Sequence, residues 1–384
     1  MNAALHHNGP RHGGGRNQPM GADPMRVIIA GGGTGGHLYP GIAIAEEVTA
    51  RPGGEVLFVG TARGLETRLV PAAGFPLELV KVSGLKRMGL RALARGLFRL
   101  PRAFIESARI LRRHRPDVVL GVGGYASGPL VFAAALLGYP TAIQEQNSLP
   151  GFTNRVLGKL VRRVFVAFDA AAARFARRKV RFVGNPVRRS FLDRVAAANP
   201  ADEGRAIVIL GGSQGSRAVN ELAADMARVL DARGRLPPII HQTGADLLDE
   251  MKVRYAAHGF DGRVEVRAFI DDMPAVLSKA ALCIARAGAL TLAELAIMRR
   301  PAILIPLPTA ADDHQTMNAL AFERAGAAVL VPQARASATR LADLVDEILQ
   351  DPARRAAMAA AMGTLARADA THDIVAELSA IARR

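Results

Sequence analysis

Arg26-Val-Ile-Ile-Ala-Gly31-Gly-Gly-Thr34-Gly-Gly36-His37 is a short apolar run that ends in glycines. It continues into Leu38-Tyr-Pro-Gly41-Ile-Ala-Ile-Ala-Glu-Glu47, whose apolar residues have helical spacing. The same design recurs far along the chain as Ala206-Ile-Val-Ile-Leu-Gly211-Gly-Ser213-Gln-Gly215-Ser216-Arg217, leading into Ala218-Val-Asn-Glu-Leu-Ala223. A strand that ends in glycines lets the backbone pass close to a bound anion. The unpaired N–H groups opening the next helix then point at that anion, and the helix dipole adds partial positive charge. Two such units predict two α/β domains facing a cleft that holds phosphate groups.

Working outward, strand-like apolar runs alternate with helical patterns. The first series is 26–31, 55–60, 77–82, 117–122, 140–145 and 164–168; the second is 205–211, 237–243, 263–268, 281–285, 301–305 and 328–331. Ala- and Leu-rich stretches such as 38–50, 154–163, 216–232, 290–299 and 315–325 have helical spacing, and 338–384 is helical throughout. Strict alternation implies doubly wound parallel sheets with helices on both faces, twice over. The break between the series falls at Val183-Gly-Asn-Pro-Val187. Residues 1–24, with three histidines and the run Gly13-Gly-Gly15, have no periodicity and read as a disordered tail.

The 384 residues are half hydrophobic, ample for two cores, but aromatics are only 5% and tryptophan is absent. The longest apolar stretch, around Leu130 to Leu137, is far short of the ~18–20 residues that span a bilayer. The single cysteine, Cys283, sits in an apolar run and reads as a buried strand residue in a reducing, cytoplasmic setting. The formal net charge of +16 points to an anionic partner: nucleic acid, a membrane surface or acidic small molecules. From Lys86 to Arg115 there are ten Lys or Arg residues and one acid, Glu106, interleaved with Leu85, Met88, Leu90, Leu93, Leu97, Phe98 and Leu100. That pattern fits a membrane-surface element or a solvated helix whose apolar side is core. Nucleic-acid binding lacks stacking aromatics and any recognised motif.

The spacing Gly31, Gly33, Gly36 matches the dinucleotide fingerprint, a weak signal alone. A nicotinamide enzyme also needs an acid at the end of the second strand. That strand ends Leu57-Phe-Val-Gly60-Thr61-Ala62-Arg63, with no acid until Glu66. His37 stands where the helix begins, and a helix N-terminus favours the neutral, base-competent imidazole. A third glycine turn, Gly121-Val-Gly-Gly124-Tyr125-Ala-Ser127-Gly128-Pro129, ends another strand, and Gln144-Glu145-Gln146-Asn147 gathers amides and a carboxylate of the kind that read sugars. In the second half, Arg286-Ala-Gly288-Ala289-Leu-Thr291-Leu-Ala-Glu294 opens another anion-facing helix, with Glu294 one turn beyond Thr291 and placed to reach a ribose diol. Asp312-Asp-His314-Gln315-Thr-Met-Asn318 is again polar beside a strand end. No Gly-x-x-x-x-Gly-Lys-[Ser/Thr] loop and no Asp-x-Asp pair occurs. Leaving-group charge must then fall to helix N-termini and arginines.

Seven motifs carry a resemblance as an ordered set. They are Gly32-Gly-Thr34-Gly-Gly-His37-x-x-Pro40, Gly123-Gly-Tyr125-x-Ser127-Gly-Pro129, Glu145-Gln-Asn147-x-x-Pro-Gly151, Gly184-Asn-Pro-Val-Arg188, Gly211-Gly-Ser213-Gln-Gly215, Arg286-x-Gly-Ala289-x-Thr-x-x-Glu294 and Asp313-His-Gln315-x-x-Asn318. The chain from 25 to 384 resembles the MurG family of bacterial GT-B glycosyltransferases. The resemblance implies an inverting, metal-independent and cofactor-free transfer of N-acetylglucosamine from UDP-N-acetylglucosamine to the lipid-linked muramoyl acceptor, lipid I, yielding lipid II. It implies an acceptor and membrane domain over 25–186, a donor domain over 187–365, and a terminal helix near 366–384 packed back on the first. It also implies a peripheral location on the cytoplasmic face of the inner membrane, docked through the basic and apolar segment Leu85 to Arg102, and no nucleic-acid partner.

Carried over by position, Thr34, Gly35, Gly36, Tyr125 and Asn147 are expected to face the acceptor pyrophosphate or the transferring sugar, with His37 as the general base, and Glu145 is expected to bind substrate. Arg188, Ser213 and the amides of Ala289, Leu290 and Thr291 are expected on the donor diphosphate. Ile270 is expected to hold the uracil through its backbone, Glu294 the ribose and Gln315 the sugar hydroxyls. The chain departs from the family at Gln144, where a histidine is common. A UDP-sugar 2-epimerase of similar architecture is the nearest alternative.

Overall fold

A computed structural model describes residues 24–62, 64–81, 90–197, 204–260 and 262–383. Strands β1 (Arg26–Gly31), β2 (Glu55–Gly60), β3 (Leu77–Leu79), β4 (Val118–Gly123), β5 (Thr141–Glu145), β6 (Arg163–Val166) and β7 (Val180–Phe182) form a parallel sheet in the order β3-β2-β1-β4-β5-β6-β7. Strands β8 (Ala206–Leu210), β9 (Ile239–Gln242), β10 (Val264–Arg267), β11 (Ala280–Ala285), β12 (Ala302–Leu304) and β13 (Ala328–Leu330) form a second, in the order β10-β9-β8-β11-β12-β13. Central strands such as Val118–Gly123 and Ala280–Ala285 are buried at every residue. That explains why they read as unbroken apolar runs, since both faces of a parallel sheet are covered. This is the GT-B arrangement of two doubly wound domains.

Helices α1 (Gly35–Thr49), α2 (Glu66–Ala72), α3 (Leu90–His114), α4 (Ser127–Leu136), α5 (Phe152–Leu157) and α6 (Asp169–Ala172) belong to the first sheet. Helices α7 (Arg189–Ala196), α8 (Arg217–Ala232), α9 (Leu248–Ala256), α10 (Met273–Ser278), α11 (Ala289–Ile297) and α12 (His314–Arg324) belong to the second, followed by α13 (Ala338–Leu349), α14 (Pro352–Leu365) and α15 (Ala370–Ile381). Each sheet has an apolar cluster on either face. The chain then returns: Ile374, Val375, Leu378 and Ile381 of α15 share a core with Val27 and Ile29 of β1 and Leu38 and Ile42 of α1. Glu377 fastens the helix by accepting from Arg163 at 2.8 Å and Arg181 at 2.7 Å.

In each sheet the winding reverses beside the first strand, between β1 and β4 and between β8 and β11. A doubly wound sheet opens its ligand crevice at such a point, beyond the carboxyl ends of the strands. Every glycine turn singled out in the sequence therefore stands at a switch point.

Three local expectations need correction. The strand expected over 77–82 is the three-residue β3, and residue 82 lies outside the described residues. The helix expected over 154–163 is α5, which ends at Leu157, where Phe175 lies against Gly158, 2.5 Å from where a Cβ would be. The edge strand β7 lies in a basic stretch, Arg177-Arg-Lys-Val-Arg-Phe182, that carries no apolar signal. The tail, apart from Pro24, and the apolar teeth Leu85 and Met88 lie outside the described residues, as do the side chains of Leu90 to Leu100.

Candidate active site

The first glycine turn is built around an acid. Glu66, the first residue of α2, is buried, and its carboxylate accepts from Gly33 N–H at 2.8 Å, Thr61 N–H at 2.8 Å and the Thr61 hydroxyl at 2.7 Å. Burial pushes its pKa up, but these donors outweigh it and hold the group below its ordinary value. Part of the anion-binding capacity of this turn is thus used by the protein's own carboxylate, which modifies the expectation of an open phosphate cradle. Thr34 and Gly36 are exposed and Gly35 is buried at the mouth of α1, which has no side-chain cap.

His37 is half-buried in the first turn of α1, with Nδ1 3.2 Å from Gln146 Oε1. Burial lowers its pKa below 6.5; His314 of the second domain adds to this, and hydrogen bonds to Gln146 and the Val122 carbonyl oppose it. The ring is neutral at pH 7. It rests against Gly123, whose φ is +103°, and a Cβ there would lie 2.5 Å from Nδ1. Only glycine lets β4 end so close to the ring. Tyr125, two residues on, is 53% exposed and free to meet a ligand.

The loop after β5 departs from expectation. Glu145 is buried, and its oxygens accept from Asn147 N–H (3.0 Å), Gly151 N–H (3.2 Å) and Asn154 Nδ2 (2.8 Å). It shapes its own loop and does not face the cleft. The Asn147 side chain is also engaged: Nδ2 donates to Glu145, while Oδ1 accepts from Asn318 Nδ2 at 3.2 Å. Asn318 of α12 additionally accepts from Ser148 N–H at 2.8 Å and donates to Ala287 O at 3.2 Å. A buried amide of the second domain thus clamps the loop of the first, a role no local pattern reveals.

On the opposite wall α11 begins at Ala289 with an extended Gly288 before it and no side-chain cap. The first amide with a partner within the helix is that of Leu292, bonded to Gly288 O at 3.0 Å. The N–H groups of Ala289, Leu290 and Thr291 therefore stand at an open helix N-terminus. Arg188 approaches the same place. Its guanidinium lies 4.8 Å from the Tyr39 ring centre and 5.2 Å from that of Phe191, 3.7 Å from Glu294, and its Nε is buried without a partner. Tyr39 escaped the sequence reading because it belongs to the other domain. Burial pushes the Glu294 carboxyl up to about 7, against the pull of Arg188.

Ser213 is exposed at the tip of the second glycine turn. Gln315 Oε1 accepts from Leu307 N–H at 2.9 Å, so its amide presents a donor end. Ile270 is buried and its N–H already donates to Gln242 Oε1 at 3.0 Å, which leaves its carbonyl as the backbone group for a base. Arg286, quoted in a motif but given no role, is buried behind this turn. It donates to Ile305 O, Pro306 O, Ser216 Oγ and Gln333 Oε1, all neutral acceptors. Among the described residues no three His, Cys, Asp or Glu side chains converge as metal ligands.

Residues 27–166 match the glycosyltransferase family 28 N-terminal domain and 206–374 its C-terminal domain. A curated relative from Myxococcus xanthus (strain DK1622) is 51% identical over 354 residues, 91% of each chain. It is named UDP-N-acetylglucosamine–N-acetylmuramyl-(pentapeptide) pyrophosphoryl-undecaprenol N-acetylglucosamine transferase. The crystal structure of Acinetobacter baumannii MurG superposes with a TM-score of 0.74 at 30% identity, covering 93% of this chain and 100% of that one. The S. aureus MnaA–UDP co-structure, at 14% identity and a TM-score of 0.64 over 91% of this chain and 95% of that one, shares the fold.

Proposed function

The chain belongs to glycosyltransferase family 28, and from that premise we infer that it transfers N-acetylglucosamine from UDP-N-acetylglucosamine to the muramoyl sugar of undecaprenyl-pyrophosphoryl-N-acetylmuramoyl-pentapeptide, lipid I. The observation that carries the reading is the 51% identity, sustained over 91% of both chains, with a relative of that name. The product is lipid II, a precursor of peptidoglycan.

In the proposed mechanism the donor diphosphate lies at the open N-terminus of α11, against the amides of Ala289, Leu290 and Thr291, with Arg188 and Ser213 on its oxygens. The unpartnered Arg188 Nε and the uncapped helix support this placement. Glu294 takes the ribose hydroxyls, Gln315 the sugar hydroxyls, and the Ile270 carbonyl the uracil. Thr34, Gly35, Gly36 and Tyr125 face the acceptor. His37 Nε2 removes the proton from the acceptor 4-hydroxyl as its oxygen attacks the anomeric carbon. The bond from that carbon to the diphosphate breaks on the opposite face, inverting the configuration, and helix amides and Arg188 meet the charge that develops on UDP without a bound cation. Glu145 and Asn147 act at a remove, by holding the loop.

Purified enzyme given the donor and a lipid I analogue in the presence of a chelator is expected to form the disaccharide. Consumption of the donor with no acceptor present would instead indicate an epimerase. Titration of Glu294 adds an expected pH effect. The carboxylate accepts from a diol whereas the acid does so poorly, so KM for UDP-N-acetylglucosamine rises as pH falls through about 7. A donor KM flat between pH 6 and 8, about one unit either side of that pKa, removes Glu294 from the ribose.

The acceptor is lipid-borne, so the enzyme works at a membrane surface. No helix among the described residues is long and apolar enough to cross one. We place the docking face on α3 and α4, in line with the basic segment Leu85 to Arg102. Ile105, Phe132 and Leu136 are exposed there, 48%, 40% and 59%, beside the exposed Arg102, Arg109, Arg112 and Arg113. Apolar teeth within a basic field suit an anionic bilayer on the cytoplasmic face. Flotation with phosphatidylglycerol-containing vesicles is expected to retain the wild type, with binding reduced at least several-fold for the pair Phe132→Asp and Leu136→Asp. Equal flotation of both proteins argues against this face.

A further inference from the structure

His37 ends a chain of neutral amides that reaches into the other domain. Asn185 Nδ2 donates to two backbone carbonyls, Gln146 O at 3.0 Å and Ala289 O at 3.3 Å, which fixes its orientation and leaves Oδ1 as acceptor. Oδ1 takes the hydrogen bond of Gln144 Nε2 at 3.3 Å, so Gln144 Oε1 must accept. It accepts from Gln146 Nε2 at 3.1 Å, and that same nitrogen donates to Val122 O at 2.8 Å. Gln146 Oε1 is therefore turned toward His37 Nδ1, 3.2 Å away. Gln144, Gln146 and Asn185 are all buried, so water does not compete for these bonds.

Every bond in the series has a determined direction because each end rests on a backbone carbonyl, which can only accept. The last acceptor faces Nδ1, and a neutral imidazole offers one donor and one acceptor. Nδ1 must carry the hydrogen and Nε2 the lone pair.

We propose that Gln146, oriented by Gln144 and Asn185, is the positioning residue that locks His37 in its Nδ1-protonated tautomer and so keeps Nε2 available to take the acceptor proton. The inference deepens the proposed mechanism and rests on it for the role of His37, though not for the tautomer itself. In hydrolases that orient a histidine base, a carboxylate usually occupies the position held here by an amide. A carboxylate raises the basicity of the imidazole by stabilising its cation, whereas an amide fixes the tautomer without holding the proton on the ring. The chain begins at Ala289 O, on the first residue of the helix assigned to the donor diphosphate. The base is thus held in register with the donor wall through Asn185, at the junction of the domains.

Gln144, like Asn185 and Gln146, must both donate and accept through its side chain. A neutral imidazole, with one N–H and one lone pair on opposite edges, can pass the same bonds along.

The test is nitrogen NMR of full-length enzyme with labelled histidines, with His37→Ala used to assign the signal. The wild type is expected to show His37 protonated at Nδ1. Gln146→Leu is expected to give a mixture of tautomers and to lower kcat about tenfold or more, with the donor KM within about twofold. Gln144→Leu, in which Val122 O still holds Gln146, is expected to lower kcat less, and it stands in if Gln146→Leu does not fold. A wild-type spectrum with the proton on Nε2, or Gln146→Leu with an unchanged tautomer and kcat, overturns the proposal. The spectrum reads the relay, while the activity of His37→Ala reads the role of the base, so the two failures are distinct.

Discussion

His37→Ala lowers kcat by about 10²–10⁴ and leaves the donor KM nearly unchanged, because a positioned general base contributes that much and no more. The donor contacts assigned above lie in the second domain, whereas His37 lies in the first, at the start of α1. Chemistry is therefore lost without loss of UDP-N-acetylglucosamine affinity. The pH profile carries the same information. The base must be neutral, and burial holds its pKa below 6.5, so kcat at saturating donor stays level down through that pH and falls only on the acid side of it. In His37→Ala that acidic limb disappears. Steady-state kinetics with saturating lipid I analogue give both answers, and activity within a few-fold of wild type excludes the residue as the base.

Arg188→Ala lowers kcat/KM by about 10²–10³, the usual cost of removing one preorganised group from developing oxyanion charge. The loss has two parts. The guanidinium, stacked on Tyr39 and Phe191, no longer meets the leaving diphosphate. Glu294 also loses the cation 3.7 Å away that offsets its burial, so its pKa rises further above about 7 and the ribose contact weakens as well. The donor KM rises, and UDP becomes a weaker product inhibitor. Arg188→Lys restores charge but not the planar fork or the stacking, so it recovers only part of the rate. An unchanged inhibition constant for UDP in Arg188→Ala places the diphosphate elsewhere.

The architecture was legible because its signal is local. Apolar runs closed by glycines, such as Ile28-Ile-Ala-Gly31 and Ile207-Val-Ile-Leu-Gly211, declare parallel strands and the turns after them. The edge strand β7 was not legible, since a short strand amid arginines carries no burial pattern. In the site, residues whose backbone does the work could be placed from motif spacing: the open amides of Ala289 to Thr291, and the turn at Gly123. Residues whose side chains close long loops could not be. Glu66 reaches back 33 residues to Gly33, Gln146 reaches 109 to His37, and Asn318 reaches 170 to Ser148. Composition and periodicity say nothing about such pairs. For the same reason Glu145 and Asn147, polar and at a strand end, read as ligand contacts, whereas Glu145 is buried in its own loop and Asn147 is engaged by Asn318 in the domain clamp.

The central claim is that amides of α11 and the Arg188 guanidinium, without a cation, hold the donor diphosphate while His37 faces the sugar from the opposite wall. A crystal structure of the enzyme with intact UDP-N-acetylglucosamine, grown in the presence of a chelator, tests it most directly. The account predicts diphosphate oxygens within hydrogen-bond distance of the Leu290 and Thr291 amides and of Arg188, with the anomeric carbon open toward His37 Nε2. Diphosphate seated instead on the Gly31–Gly36 turn, or binding that is lost once divalent ions are removed, would contradict it.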